Sequence, residues 1–206
     1  MRVKKRQEVR IYTKGRQTKI MFGMTKPYPK RIVIKRIIQL FDYLMEQYQK
    51  VKIDLLCDSA SVNEHLDEFT HAQYQYDIER KEGPGIIIFN SEWLNYLYHG
   101  NMLGKHGIPD DLRMKSWNLD KIEHKEHLQY ILLHEFAHAI ETQYSMNENK
   151  TIKNAYKEYI SKNDFKGDIS EFIVNCFVTS QVAANNEMAN RIKKVMDLDI
   201  KRKTRG

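Results

Sequence analysis

Residues 134–138 read His134-Glu135-Phe136-Ala137-His138, a His-Glu-x-x-His pentad inside a stretch with helical periodicity. Helical residues four apart share a face, about 6 Å apart along the axis, so both imidazoles can reach one zinc ion from the same side. Glu135 is rotated by about 100° from His134, which lets it address a water on the metal without becoming a ligand. Two ligands, an open position and an adjacent base are what metal-assisted peptide hydrolysis requires.

The pentad also arises by chance, about once in two hundred chains of this size at ordinary His and Glu usage, so its surroundings must support it. On a helical wheel Leu128, Leu132, Leu133, Phe136, Ala139 and Ile140 fall in one apolar arc with Glu135 at its edge. His134 and His138 lie together beyond Glu135, with Glu141 near them. The competing reading is two ordinary histidines on an amphipathic helix.

A zinc on two histidines needs a third protein ligand. His127 is two turns before His134, about 10 Å along the axis, too far to share the ion. No histidine follows His138 and no His-x-x-Gly-x-x-His continuation is present, so a later carboxylate must serve. Glu171 is the leading candidate; it opens the apolar run Glu171-Phe172-Ile173-Val174-Asn175-Cys176-Phe177 after a Lys166-Gly167 break. Against this, Asp168-Ile169-Ser170-Glu171 has the pattern of a capping box, in which Glu171 would only close the helix end. Glu158, Asp164 and Asp168 are the alternatives.

The His134–Ile140 run, followed some thirty residues later by a helix opening Glu171-Phe172, resembles the gluzincin peptidases. Within them it is similar to the group of the anthrax lethal factor catalytic domain, the Pro-Pro endopeptidases and the Mlc titration factor. The likeness spans roughly residues 122–197. It implies a zincin-like fold, with zinc on His134, His138 and Glu171 and with Glu135 as general base. Two features depart from that group. Asn175 stands where a second acidic residue is usual, and no tyrosine lies just before Glu171, Tyr156 and Tyr159 coming too early to hold an oxyanion. Glu171-x-x-x-Asn175-x-Phe177 is also similar to the glutamate helix of the ImmA/IrrE-type metallopeptidases, which cleave repressors inside bacteria.

The chain has 206 residues, enough for one domain with a full core and no staples. Cys57 and Cys176 sit far apart and read as buried thiols of a reducing compartment. No apolar segment follows Met1-Arg2-Val3-Lys4-Lys5-Arg6 and no run of eighteen apolar residues occurs. The expectation is a cytoplasmic protein without a membrane span, with export by a dedicated route left open. Residues 1–52 carry 15 Lys/Arg against 3 Asp/Glu, and the tail 201–206 adds four more cations, so the remainder is acidic in a chain of net charge +7. Basic ends can hold nucleic acid. With Tyr12, Phe22 and Tyr28 as the aromatic residues of the first thirty positions, a solvated arm is the preferred reading.

The positioning elements are read as a hairpin (8–13 and 18–22), a helix over 31–49, and a strand over 51–57. A short helix over 61–69 and strands over 73–79 and 86–90 follow. The stripe of the first helix is Ile34, Ile37, Ile38, Phe41, Leu44, Met45 and Tyr48. Ile86-Ile87-Ile88 is either the strand that pairs with an extended substrate or a central strand. Residues 91–120 read as an irregular, aromatic flap. The fold class is α+β and zincin-like: a small mixed sheet with a backing helix in 1–123, then the active-site helix and a helical half over 124–200, and a basic tail.

The function that follows is a zinc-dependent endopeptidase acting on a protein or peptide substrate through a zinc-activated water. Two other classes compete: a nucleic-acid-associated protein with a structural zinc helix, and a non-catalytic partner-binding protein on a peptidase fold. Glu135 discriminates against both, because a structural site needs a fourth ligand and has no use for a base.

Overall fold

The computed structural model describes residues 7–13, 16–23, 31–67, 70–76, 85–94, 124–182 and 185–203, without the side chains of 7–17, 31–32 and 124–127. It is α+β, with a mixed sheet in the N-terminal half and helices in the C-terminal half. The chain divides into two compact units, Met1–His106 and Gly107–Gly206.

The first unit begins with β1 (Gln7–Thr13) and β2 (Arg16–Phe22), an antiparallel hairpin whose last pair is Thr13 with Arg16. Next come α1 (Arg31–Gln47), β3 (Ile53–Asp58), the single turn α2 (Ser59–Val62), β4 (Ala72–Gln75) and β5 (Gly85–Phe89). The strand order is β1-β2-β3-β5-β4. β2, β3 and β5 are parallel, so α1 is the crossover between β2 and β3, and β4 closes the edge antiparallel to β5. Between Ile53 and Leu55 the β3–β5 register shifts, leaving Asp54 as the extra residue.

β5 is hydrogen-bonded on both sides, by β3 and β4. Ile86–Ile88 is therefore a central strand and has no free edge for a substrate; a short apolar run does not distinguish the two cases. The buried face of α1 is Val33, Ile37, Phe41, Leu44, Met45 and Tyr48, with Ile34 and Ile38 at its margin, a small rotation of the expected stripe. The expected helix over 61–69 starts earlier and ends at Val62, because Asn63 takes a left-handed conformation (φ 57°) and stops it. Residues 91–94 are helical, not irregular, with the Asn90 carboxamide oxygen accepting from the backbone N–H groups of Glu92 and Trp93. The rest of the expected flap, 95–120, lies outside the described residues. Gly85 is required by close approach: a Cβ there would fall inside the Tyr74 ring.

At the carboxyl ends of the parallel strands the fully buried Asp58 gathers the chain. Its Oδ1 accepts from the backbone N–H of Gly23 at 3.0 Å, just past β2, and from that of Ser61 at 3.1 Å, capping α2. The Ser61 hydroxyl donates to the same oxygen, and Ser91 Oγ donates to Oδ2 at 3.3 Å. One carboxylate thus ties the ends of β2, β3 and β5 together.

The second unit holds α3 (His124–Tyr144), a 3-10 turn (Met146–Glu148), α4 (Lys150–Lys162), α5 (Ile169–Val182) and α6 (Glu187–Lys203). Asn149 caps α4 by accepting from Thr151 and Ile152 N–H. The expected basic tail is in part structured: Lys201, Arg202 and Lys203 form the last turn of α6, where cations suit the helix dipole. Lys203 Nζ donates to the Tyr144 carbonyl at the end of α3. Cys57 and Cys176 are both free and buried, and burial pushes the Cys57 thiol up to about 12, so neither is a ready nucleophile. Among the described residues no helix is long and apolar enough to cross a membrane.

Asp58→Ala leaves two buried N–H groups and two hydroxyls without their acceptor. Each hydrogen bond to a charged group is worth roughly 1.5–3 kcal/mol, so the loss should be at least about 3 kcal/mol. Urea unfolding followed by circular dichroism should show a clearly lower midpoint than wild type, and Asp58→Asn should fall between.

Candidate metal centre

α3 is buried nearly all round, not on one arc: from Leu128 to Glu141 only Gln129 and His138 are even partly exposed. His134, Glu135 and Glu141 are buried with the apolar residues, each less than 10% exposed. The expected amphipathic helix is therefore corrected, and the reason lies in α5. That helix is also buried, from Phe172 to Thr179, and it meets α3 along a line of polar side chains.

Tyr130, His134, His138 and Glu141 mark one line on α3, at steps of four, four and three residues. They face Asn175, Glu171 and Ser170 in that order. Tyr130 Oη donates to Asn175 Oδ1 at 2.9 Å, and Ser170 Oγ donates to Glu141 Oε2 at 3.2 Å. Between them the Glu171 carboxylate lies 3.4 Å from His138 Nε2 and 3.7 Å from His134 Nε2. As positions rise on α3 they fall on α5, so the two helices run antiparallel.

The two Nε2 atoms are 3.2 Å apart, and the rings meet edge to face with centroids 4.8 Å apart. Donors about 2.0–2.1 Å from a common tetrahedral centre lie roughly 3.3 Å from one another. The Nε2–Nε2 separation of 3.2 Å is close to that geometry, and the carboxylate reaches His138 with Oε1 and His134 with Oε2, one ligand atom from each of the three residues lying within 4.8 Å of the others. His134, His138 and Glu171 also form the one group of three ligand-type side chains among the described residues able to hold a metal. Glu171 Oε2 is buried and has no hydrogen-bond donor. A buried, unpartnered carboxylate oxygen facing one imidazole nitrogen, with the other oxygen facing a second, fits a cation.

The protonation states of His134 and Glu171 agree with that fit, whereas the raised proton affinity of His138 opposes it. Burial, then repulsion from His138, holds the His134 imidazole down to about 3 against the attraction of Glu171, so its ring is neutral. Burial, the largest effect on each, disfavours the charged forms of His138 and Glu171, but their mutual hydrogen bond and the neighbouring charges together outweigh it. With Glu135, Glu171 and Glu141 nearby, His138 is raised, and Glu171 is held below the ordinary glutamate value. Glu141 is raised, chiefly by burial.

Glu171 does not close a capping box. Asp168 does the capping, its Oδ1 accepting from the Glu171 N–H at 3.0 Å, while the Glu171 side chain turns to the histidines. Gly167 permits this turn: a Cβ there would come within 2.9 Å of Glu171 Cβ and closer still to the Phe165 ring. The alternatives to Glu171 are elsewhere. Glu158 is exposed and pairs with Lys162 at 2.8 Å, and Asp164 and Asp168 are exposed. Tyr156 Oη donates to the Gly167 carbonyl at 3.1 Å, and Tyr159 packs on Phe165 and Phe172. The side chain of His127 lies outside the described residues. Tyr130 and Ser170 were not singled out by sequence reasoning. The available signal was Tyr130 lying four residues before His134, on the same face.

No protein-family model matches this chain, and neither does any curated protein or solved structure. The reading of the site rests on its own geometry.

Purified protein should carry one zinc per chain by elemental analysis, and His134→Ala or His138→Ala should abolish it. Glu171→Gln should weaken metal retention by orders of magnitude, whereas Asp168→Ala should cost about 1 kcal/mol of stability and keep the metal. Loss of metal from Asp168→Ala but not from Glu171→Gln would reverse the two roles.

Proposed function

We propose that this chain is a zinc-dependent endopeptidase of the gluzincin kind, acting on a protein or peptide substrate in the cytoplasm. The observation that carries the proposal is the convergence of His134, His138 and Glu171 from two antiparallel helices, with Glu135 buried beside them. Three protein ligands leave a position for substrate or water, as a catalytic site requires; a closed structural site would take a fourth.

Zinc held there would supply Lewis acidity, polarising a carbonyl and making water a better nucleophile. The remaining work falls to the chain's own groups. The neutral His134 ring and the ionised Glu171 carboxylate need lose no proton to bind a cation, while His138, whose proton affinity is raised, gives one up. Glu135 is close enough to His138 to raise its proton affinity. In the reaction its carboxylate takes the proton of the attacking water and passes it to the nitrogen of the departing amine. General acid–base help of this kind is worth roughly 10²–10⁴-fold in rate.

The competing classes make different demands. A structural zinc helix has no need of a buried glutamate next to its first ligand. Nucleic-acid binding would rest on the basic segment 1–52, of which 1–6, 14–15 and 24–30 lie outside the described residues.

Glu135→Gln should keep its zinc and lose cleavage of a denatured-protein peptide library, read by mass spectrometry, by at least about 10²-fold. Equal cleavage by both proteins would remove the general-base role. Deleting 1–6 and 204–206 should leave metal content unchanged. Mixed-sequence DNA or RNA should bind the full chain no more tightly than micromolar at physiological salt. Tight, salt-resistant binding to one nucleic acid sequence would promote the nucleic-acid reading.

A further inference from the structure

One turn before the first histidine, α3 carries a side chain that peptide hydrolysis does not call for. Tyr130 is 1% exposed, and its ring stacks on that of His134, with centroids 6.1 Å apart and planes inclined by 26°. Its hydroxyl crosses to α5 and donates to Asn175 Oδ1 at 2.9 Å. Asn175, fully buried, spends the other end of its amide on the backbone of the glutamate: Nδ2 donates to the Glu171 carbonyl at 2.8 Å. A path of packed and hydrogen-bonded groups therefore runs from the ring of one donor residue to the main chain of another.

Each link has a reason in its chemistry. The amide is the one side chain of this size that accepts at one end and donates at the other. A carboxylate at 175 could still accept from Tyr130 but could not donate to the Glu171 carbonyl. Being buried, the pair is worth more than its exposed equivalent, and breaking either bond strands a polar group in an apolar interface. The tyrosine fixes the tilt of the imidazole through its ring and the register of the two helices through its hydroxyl. Both are needed to keep His134 Nε2 and Glu171 Oε2 at 3.7 Å.

We infer that Tyr130 and Asn175 are positioning residues that set the geometry of the metal centre from behind it, a role that rests on the metal reading of His134, His138 and Glu171. Neither touches the reacting atoms. Removing the hydroxyl leaves the three donors in place but releases the helix that carries the carboxylate. Outer partners hydrogen-bonded to a ligand side chain are worth about 10–100-fold in metal affinity, and these two, acting through a ring contact and the main chain, are set against that range.

Cobalt(II) serves as the probe, because its visible absorption reports coordination geometry as well as occupancy. Metal-free full-length wild type, Tyr130→Phe, Asn175→Ala and the double variant are titrated with cobalt and unfolded in urea. Leu132→Ala, a cavity in the same helix at a fully buried position away from the polar line, is the control for lost stability. Tyr130→Phe and Asn175→Ala should each lose about 10–100-fold in cobalt affinity and shift the visible bands, with the double variant little worse than either. Leu132→Ala should lose stability and keep wild-type affinity and spectrum. The inference is overturned by wild-type affinity and spectrum in Tyr130→Phe, or by a loss in Leu132→Ala as large as that in Tyr130→Phe. If Asn175→Ala does not fold, Tyr130→Phe and the control decide alone. Wild type that takes up no cobalt defeats the metal reading itself, a result distinct from either of these.

Discussion

Two imidazole nitrogens and a carboxylate are held within 3.2–3.7 Å of one another inside a buried helix pair. An ionised carboxylate taken out of water is costly, and one oxygen of Glu171 has no hydrogen-bond donor to offset the cost. The interface accepts this because α3 and α5 meet along a polar line, with Tyr130–Asn175 at one end, Ser170–Glu141 at the other and the three donors between. A divalent cation among those donors would satisfy the remaining oxygen. The metal reading thus accounts for an arrangement that a purely structural helix pair would have every reason to replace with leucines.

The first unit solves a separate problem by similar means. Three parallel strands end close together, and the turns that leave them expose backbone N–H groups at the sheet's carboxyl edge. Asp58, fully buried, collects N–H groups from Gly23 and Ser61 and hydroxyls from Ser61 and Ser91. The same residue ends β3 and caps α2, which is why the helix begins immediately after the strand and not two residues later.

How much of this was legible in the sequence depended on range. His134 and His138 were readable because their relation is local: four residues on a helix fix the geometry whatever else the chain does. The hairpin, the long first helix and the mixed sheet were readable from periodicity and turn residues for the same reason. Glu171 was half readable. Its type and place at a helix start suggested a ligand, but the same four residues spelled a capping box, and only the packing of two helices separates the capping residue, Asp168, from the donor. Tyr130 offered only its place four residues before His134, since its meaning comes from a partner forty-five positions away. The amphipathic reading of α3 failed because polar residues facing other polar residues can be buried as completely as leucines. Ile86–Ile88 could not be placed at the edge or the centre of the sheet until its neighbours on both sides were seen.

The central claim is that two histidines and a glutamate of one helix pair hold one zinc. Zinc-edge X-ray absorption on purified protein addresses it most directly, because it counts and types the donor atoms. The account predicts a first shell of nitrogen and oxygen alone at about 2.0–2.2 Å, with the outer scattering of two imidazoles and no sulfur. Sulfur scatterers near about 2.3 Å, which would bring in Cys57 or Cys176, or a shell lacking imidazole, would contradict it.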